Sequence, residues 1–319
     1  DYRKIITMQR VEEGGMKFKF TKMHGCGNDY VYVNCTEWEM SNPAVVARYV
    51  SKYHFGIGSD GLILICPSET ADFKMRMFNA DGSEGRMCGN GIRCVAKYVY
   101  DHKLTEKNPV MIETLAGIKK IDLTIENDKV VEARVDMGEP EIRPRKIPMI
   151  TDHYIFVDQS LVLKETTIVG TDKKTYKEKI YYNGTAVSMG NPHFVVFVKD
   201  VDALDLSVLG PQFEHHKLFP EGVNTEFVQI IDENTVKFRV WERGSGETLA
   251  CGTGACAVNY ACMRLHKAGA MDKPLNVQAR GGLLKVTYET ESNHIFLQGP
   301  ATEVFHGEIE IPEEELEAL

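Results

Sequence analysis

Met87-Cys88-Gly89-Asn90-Gly91-Ile92-Arg93-Cys94-Val95-Ala96 and Ala250-Cys251-Gly252-Thr253-Gly254-Ala255-Cys256-Ala257-Val258 are the two stretches that decide the fold. Each sets a cysteine and two glycines ahead of an apolar run. The runs, residues 91–102 and 254–267, are apolar on nearly every side, so each is expected to be a helix buried all round. They stand 163 positions apart, and the same offset holds along the chain. It lays Gly27-Asn28 on Gly190-Asn191, Lys74 and Arg76 on Lys237 and Arg239, Phe78 on Trp241, Glu84 on Glu247 and Val95 on Val258. One offset through so many positions marks an internal repeat, hence two similar domains.

The text around these runs is mostly strand. Residues 17–23 alternate, residues 29–35 are β-rich, and 62–66, 73–79, 110–115, 119–126 and 130–137 follow in the same style. Residues 43–53 form a further helix pattern, opened by Pro43 behind Asn42. The fold expected is mixed α/β: two pseudosymmetric domains, each a mixed β-sheet barrel wrapped around a central apolar helix. Their expected bounds are 16–138 and 139–300, joined through the proline-rich stretch 138–148. Residues 150–182, polar and lysine-rich, suggest a peripheral hairpin insertion, and 301–319 a strand with an acidic tail. Residues 1–15, ahead of Met16, are expected to be an appended tag or a disordered tail.

Composition narrows the function. A chain of 319 residues suits two ordinary domains. Thirty-seven basic against 46 acidic residues leave a net charge of −9, which argues against a nucleic-acid backbone reader. No run of 18 apolar residues suggests a membrane span, and the opening lacks the apolar core of a signal peptide, so a cytoplasmic protein is expected. The eight cysteines are then not a disulfide framework. Cys88/Cys94 and Cys251/Cys256 lack zinc-ribbon spacing, and Gly25-x-Gly27 leads into a strand rather than a nucleotide-binding helix. No metal and no cofactor are expected.

The chemistry suggested is that of thiols. A cysteine at a helix start meets the positive end of the helix dipole, which is expected to lower its pKa by roughly 1.5 units. The neighbouring glycines leave N–H groups bare for an anion. The repeat is expected to set Cys88 and Cys251 face to face, one thiolate removing a proton from a carbon and the other thiol returning one. Such a pair inverts an acidic C–H centre. Cys35, Cys66, Cys94, Cys256 and Cys262 sit on strands or helix faces and are taken as small buried hydrophobes; Cys26 stays open. The offset also pairs Asn28 with Asn191, Asn79 with Glu242 and Gly61 with Asn224. This amide-rich set, with Arg243 for a carboxylate, suits a small substrate carrying amines and carboxylates. His193 is placed to hydrogen-bond a thiol.

Taken with Met23-His24-Gly25-Cys26-Gly27-Asn28-Asp29-Tyr30, Phe78-Asn79-Ala80-Asp81-Gly82-Ser83-Glu84, Ser188-Met189-Gly190-Asn191-Pro192-His193 and Glu242-Arg243-Gly244, the two cysteine motifs resemble those of diaminopimelate epimerases. The resemblance runs from Met16 to about Ile311. It implies cofactor-independent interconversion of LL- and meso-diaminopimelate in lysine and peptidoglycan-precursor synthesis. By this resemblance Cys88 and Cys251 are the acid/base pair, and the N–H groups of Gly89, Asn90, Gly252 and Thr253 hold the reacting carboxylate. Asn28, Asn79, Asn191, Asn224 and Arg243 hold the distal centre. Glu242 binds the reacting amine, and with His193 it tunes the thiols. The final strand, from about Pro300, returns to the first domain, and the enzyme is a homodimer. Two positions depart from the family pattern: Gly61 stands where many members have glutamine, and Phe305 where some have a tyrosine at the dimer contact.

Two competitors remain. A proline or hydroxyproline racemase shares the scaffold and the two thiols, but usually has histidine where this chain has Asn90. A thiol redox or metal-binding protein without turnover would instead hold zinc or a stable disulfide.

Overall fold

The computed structural model describes residues 9–10, 15–169 and 175–317. Of the extension, Gln9–Arg10 and Gly15 belong to the described residues, Gln9–Arg10 as a short strand paired with Met16 and Lys17. The chain divides into two compact units, one running to Asp136 and resuming at Gln298, the other spanning Met137–Leu297.

In the first unit, Met16–Gly25 and Asn28–Asn34 form an antiparallel hairpin. Its two-residue turn, Cys26-Gly27, has φ of 54° and 82°. Two positive values in succession belong to the tight turn whose twist matches that of the strands, which is why a glycine stands there. The order then alternates. Asn28–Asn34 pairs parallel with Gly61–Cys66, which pairs antiparallel with Phe73–Asn79; that strand pairs parallel with Val110–Thr114. Gly117–Glu126 and Lys129–Asp136 complete an antiparallel run. On the other flank the returning strand Thr302–Ile311 pairs antiparallel with Met16–Gly25.

Two helices complete the unit. Pro43–Ser51 (α1) covers the outer face, where Val46, Ala47 and Val50 pack in one cluster with Val31, Val33, Leu62 and Leu64. Gly89–Asp101 (α2) touches strands from both ends of the sheet, 16–25 and 28–34 as well as 117–126 and 129–136. The sheet therefore wraps it, and nine of its residues are buried.

The second unit repeats this order. Pro192–Phe197 pairs parallel with Asn224–Asp232, which pairs antiparallel with Thr235–Glu242; that strand pairs parallel with Leu275–Ala279. Leu206–Glu214 (α3) lies outside, in a cluster with Phe194, Phe213, Phe219 and Phe227. Gly252–Arg264 (α4) lies inside, against strands 192–197, 224–232, 275–279 and 282–288. Each helix has the length of its counterpart, 9 residues for α1 and α3 and 13 for α2 and α4. Helix α3 was not expected from its own sequence, although the offset from α1 reaches it. The polar segment 150–182 contributes two paired strands, Gln159–Val169 and Thr175–Ser188.

Both central helices start two residues before the sequence-based expectation, at Gly89 and Gly252 rather than Gly91 and Gly254. Glycine's low helix propensity argues for the later start. The cysteine overrides it by capping: Cys88 and Cys251 are extended, and each sulfur accepts the N–H of the residue three places on.

The start of α2 is anchored by Arg93, which is fully buried. Its guanidinium donates to Gly89 O at 3.0 Å, to Asn90 Oδ1 at 3.1 Å and to Pro300 O at 3.3 Å. Arg93→Met fits the space and strands three acceptors. Charged hydrogen bonds contribute about 1.5–3 kcal/mol each, so urea unfolding should show a loss of about 3 kcal/mol or more.

Candidate active site

Each thiol sits at the start of a buried helix. In the first unit, Cys88 Sγ accepts from the Gly91 N–H at 3.3 Å, and its thiol donates to Asn28 Oδ1 at 3.2 Å. Asn28 follows the Cys26-Gly27 turn directly, so the hairpin geometry delivers it to the thiol. The same Oδ1 accepts from Asn90 Nδ2 at 3.3 Å, while Asn28 Nδ2 donates to Asp60 Oδ2 at 2.7 Å. Asp60 also accepts the Asp29 N–H at 3.1 Å. Burial, with the Asp29 charge behind it, holds the Asp60 carboxyl above its ordinary range. Burial likewise pushes the Tyr30 phenol well up, with Cys88 and Asp60 adding to the effect. Asn79 ends its strand opposite Gly61, and its amide donates to Ser83 Oγ at 3.0 Å. A Cβ on Gly61 would lie 2.1 Å from Phe78 O and 2.9 Å from Tyr30 Cε1, so the backbone here leaves no room for the family's glutamine.

In the second unit, Cys251 Sγ accepts from the Gly254 N–H at 3.4 Å and lies 3.4 Å from Thr253 Oγ1. His193 is fully buried, with Nδ1 at 2.7 Å from Glu226 Oε1 and Nε2 at 3.0 Å from Asn191 Oδ1. Asn224 joins two loops: its Nδ2 donates to Pro192 O at 2.8 Å, and its Oδ1 accepts the Arg243 N–H at 2.9 Å. The Arg243 guanidinium donates to Glu221 O at 2.9 Å. Glu242 accepts from the Thr248 hydroxyl. Burial raises the Glu242 pKa, only partly offset by hydrogen bonds from Thr248 and Cys251 and by His193.

The dipole argument for a lowered thiol pKa fails at Cys251. Burial first, then the Glu242 and Glu226 carboxylates, push this thiol well above its ordinary value. Thr253 and the Gly254 N–H oppose the shift and do not overcome it. A helix terminus contributes at most about 2 kcal/mol, whereas desolvating an ion costs several.

Sequence reasoning missed Glu226, Asp60 and Tyr30. The repeat carried a signal for one of them. At the same offset His193 falls on Tyr30, but Glu226 falls on Ile63, so a carboxylate stands where the other half has an aliphatic chain. Ligand atoms of His193, Glu226 and Cys251 lie within 4.8 Å of one another, the one such trio among the described residues. Nitrogen, oxygen and sulfur together suit zinc, but the short His193–Glu226 separation is already that of a hydrogen bond.

A raised thiol pKa means that Cys251 stays protonated through neutral pH and ionises only in the alkaline range. Peptide mass spectrometry after iodoacetamide treatment should find little alkylation of Cys251 near pH 7 and a rise only above its ordinary range. Glu242→Gln, which removes a repelling charge, should bring that rise to lower pH.

The diaminopimelate epimerase family model matches residues 20–143 and 185–304. The diaminopimelate epimerase of Agathobacter rectalis is 56% identical over 294 residues, covering 92% of this chain and 99% of that protein. Those of Acetivibrio thermocellus and Methanococcus maripaludis are 52% and 51% identical over 92% of this chain, covering 99% and 100% of their own lengths. Among solved structures, a hydroxyproline epimerase from Agrobacterium vitis superposes with a TM-score of 0.65 at 13% identity, covering 95% of this chain and 94% of that one. A phenazine biosynthesis protein of the PhzF family from Bacillus anthracis gives 0.63 at 19% identity, covering 92% and 99%. At such identities these two share the fold and nothing finer, whereas half-identity across nearly the whole chain is decisive: the chain belongs to the diaminopimelate epimerase family.

Proposed function

We propose that this protein interconverts LL- and meso-diaminopimelate by taking the α-proton with one cysteine and delivering a different proton from the other, without a cofactor. The observation that carries the reading is the pair of helix-capping cysteines, Cys88 and Cys251, each at the start of a wrapped helix in a chain of this family.

In this reaction one cysteine, as thiolate, takes the α-proton from one side of the carbon. The electron pair left behind spreads into the adjoining carboxylate, which the N–H groups of Gly89, Asn90, Gly252 and Thr253 hold. Donors of this kind are worth about 2.7–4 kcal/mol each where charge develops. The second cysteine, as thiol, returns a proton from the other side, and the roles swap with direction. Glu242 takes the reacting ammonium. Asn28, Asn79, Asn191, Asn224 and Arg243 hold the distal amino-acid end, with no side chain at Gly61 to help. His193 tunes the thiol chemistry. The protein acts in the cytoplasm as a homodimer, with Phe305 at the contact. Phe305 is 46% exposed and packs edge-on against Phe20, at 5.9 Å between ring centroids, which is consistent with that role. Among the described residues, no helix is long and apolar enough to cross a membrane.

The test is solvent exchange. In deuterated buffer with chelator and no added cofactor, LL-diaminopimelate should give meso product carrying one deuterium. Cys88→Ala and Cys251→Ala should each lower turnover by at least about 10²-fold, the low end of what a positioned proton-transfer group is worth. Exchange that survives loss of either cysteine would rule the two-thiol reaction out. Mild oxidant should abolish activity by joining Cys88 to Cys251, and dithiothreitol should restore it. Full activity after peroxide, with both thiols free, would count against a facing pair.

A further inference from the structure

Strand alternation decides which side chains lie beneath the two helix starts. In Asn224–Asp232, Phe227 joins the outer cluster with α3, so Glu226 points inward toward α4; Phe194 and His193 divide in the same way. In the first unit Val31 and Leu62 join the outer cluster, leaving Tyr30 and Ile63 inward. The glycines confirm the placement. A Cβ on Gly91 would lie 2.6 Å from Ile63 Cδ1, and one on Gly254 would lie 2.7 Å from Glu226 Oε1. The same place under the first helical turn is thus filled by a methyl group in one half and by a carboxylate in the other.

That carboxylate is an unusual choice for packing alone. Glu226 is fully buried, and its Oε2 has no hydrogen-bond partner among the described residues. Its Oε1 is committed to His193 Nδ1 at 2.7 Å. With Oε1 as the acceptor, the proton of that bond belongs to Nδ1. The other ring nitrogen, Nε2, meets the Asn191 amide at 3.0 Å. The arrangement places a ring nitrogen of a histidine held at both ends within 4.8 Å of the Cys251 thiol.

We infer that Glu226 is a positioning residue: its carboxylate holds the His193 ring through Nδ1 and so fixes the imidazole beside Cys251. The first half has Tyr30 and Ile63 in these places, so the device serves one thiol of the two. Glu226 takes no proton itself; it orients the ring and compensates its charge, the part a buried carboxylate plays behind a catalytic histidine. The inference rests on the epimerase chemistry proposed above.

Glu226→Gln keeps the shape and removes the charge. It should lower kcat by about 10-fold or more, with KM within about threefold. Glu226→Asp should recover part of the loss. Because Glu226 acts through His193, the double variant E226Q/H193N should be no slower than H193N alone. Nitrogen-15 NMR of the histidine-labelled wild type supplies a readout that needs no variant, and the His193 signal should show a protonated Nδ1. The inference is overturned if folded Glu226→Gln retains kcat within about twofold, if the two losses multiply, or if Nδ1 is bare. Should Glu226→Gln fail to fold, the wild-type spectrum decides alone. A wild type that does not turn over LL-diaminopimelate overturns the epimerase reading itself, which the same assay separates from a wild type that is active and indifferent to Glu226.

Discussion

Burying the start of a helix leaves its first N–H groups without water, and the fold is organised around that constraint. Both central helices begin inside their own sheets, where an orphaned donor costs about as much as a lost hydrogen bond. A cysteine answers it in each half. Its sulfur accepts the N–H three residues on, at 3.3 Å for Cys88 and 3.4 Å for Cys251. Structure and chemistry therefore meet in one atom. The sulfur that caps the helix is the sulfur proposed to move the proton, and the glycines that follow give the close backbone a substrate carboxylate would need.

The wrapping of each helix by its sheet then dictates the remaining sequence pattern. Strands with one face on the outer helix and one on the central helix are buried on both sides, which is why Gly61–Cys66 and Pro192–Phe197 are almost continuously apolar. Polar groups at the inner strand ends and on the helix starts must find partners, and they find one another. Asn28, Asn90 and Arg93 form one such set in the first unit; His193, Glu226 and Asn191 form another in the second. Arg93 is the clearest case of a charged side chain that serves architecture: all three of its acceptors are neutral oxygens, two at the helix start and one on Pro300, just ahead of the returning strand.

Much of this was legible because the chain states its plan twice. The offset that pairs Cys88 with Cys251 also aligns the helices, and it paired Asn28 with Asn191 before any geometry was known. What stayed hidden were residues whose importance lies in burial. Glu226 is one acid among 46, and nothing local distinguishes it; its strand neighbours Phe227 and Val228 make it read as an ordinary solvent-side position in an alternating strand. Arg93 passed unremarked inside a run read as apolar throughout. The helix starts lie two residues ahead of the apolar runs because a capping cysteine outside each run sets the boundary.

The thiol pKa shows why one electrostatic effect cannot be taken alone. The helix dipole favours a thiolate by an amount that surface exposure would leave decisive. Cys251 is 5% exposed and stands with Glu242 and Glu226, so burial and like charge both work against ionisation. The repeat does not impose this on both halves, since Ile63 replaces the carboxylate beneath the first helix and Asn79 stands in the place of Glu242. Two cysteines with the same backbone role thus occupy different fields. A reaction that draws a proton at one and delivers it at the other needs one thiol and one thiolate at any moment. Glu242 and Glu226 act directly on Cys251, whereas Cys88 reaches Asp60 only through the Asn28 amide, and that inequality is built into the side chains. The surplus of negative charge around Cys251 also defines what relieves it: a group bearing positive charge, as the ammonium of an amino acid does, lowers the cost of the thiolate when it enters. In the two-thiol reaction proposed above, this inequality between the halves, laid over a repeated backbone, is what tells the thiol from the thiolate.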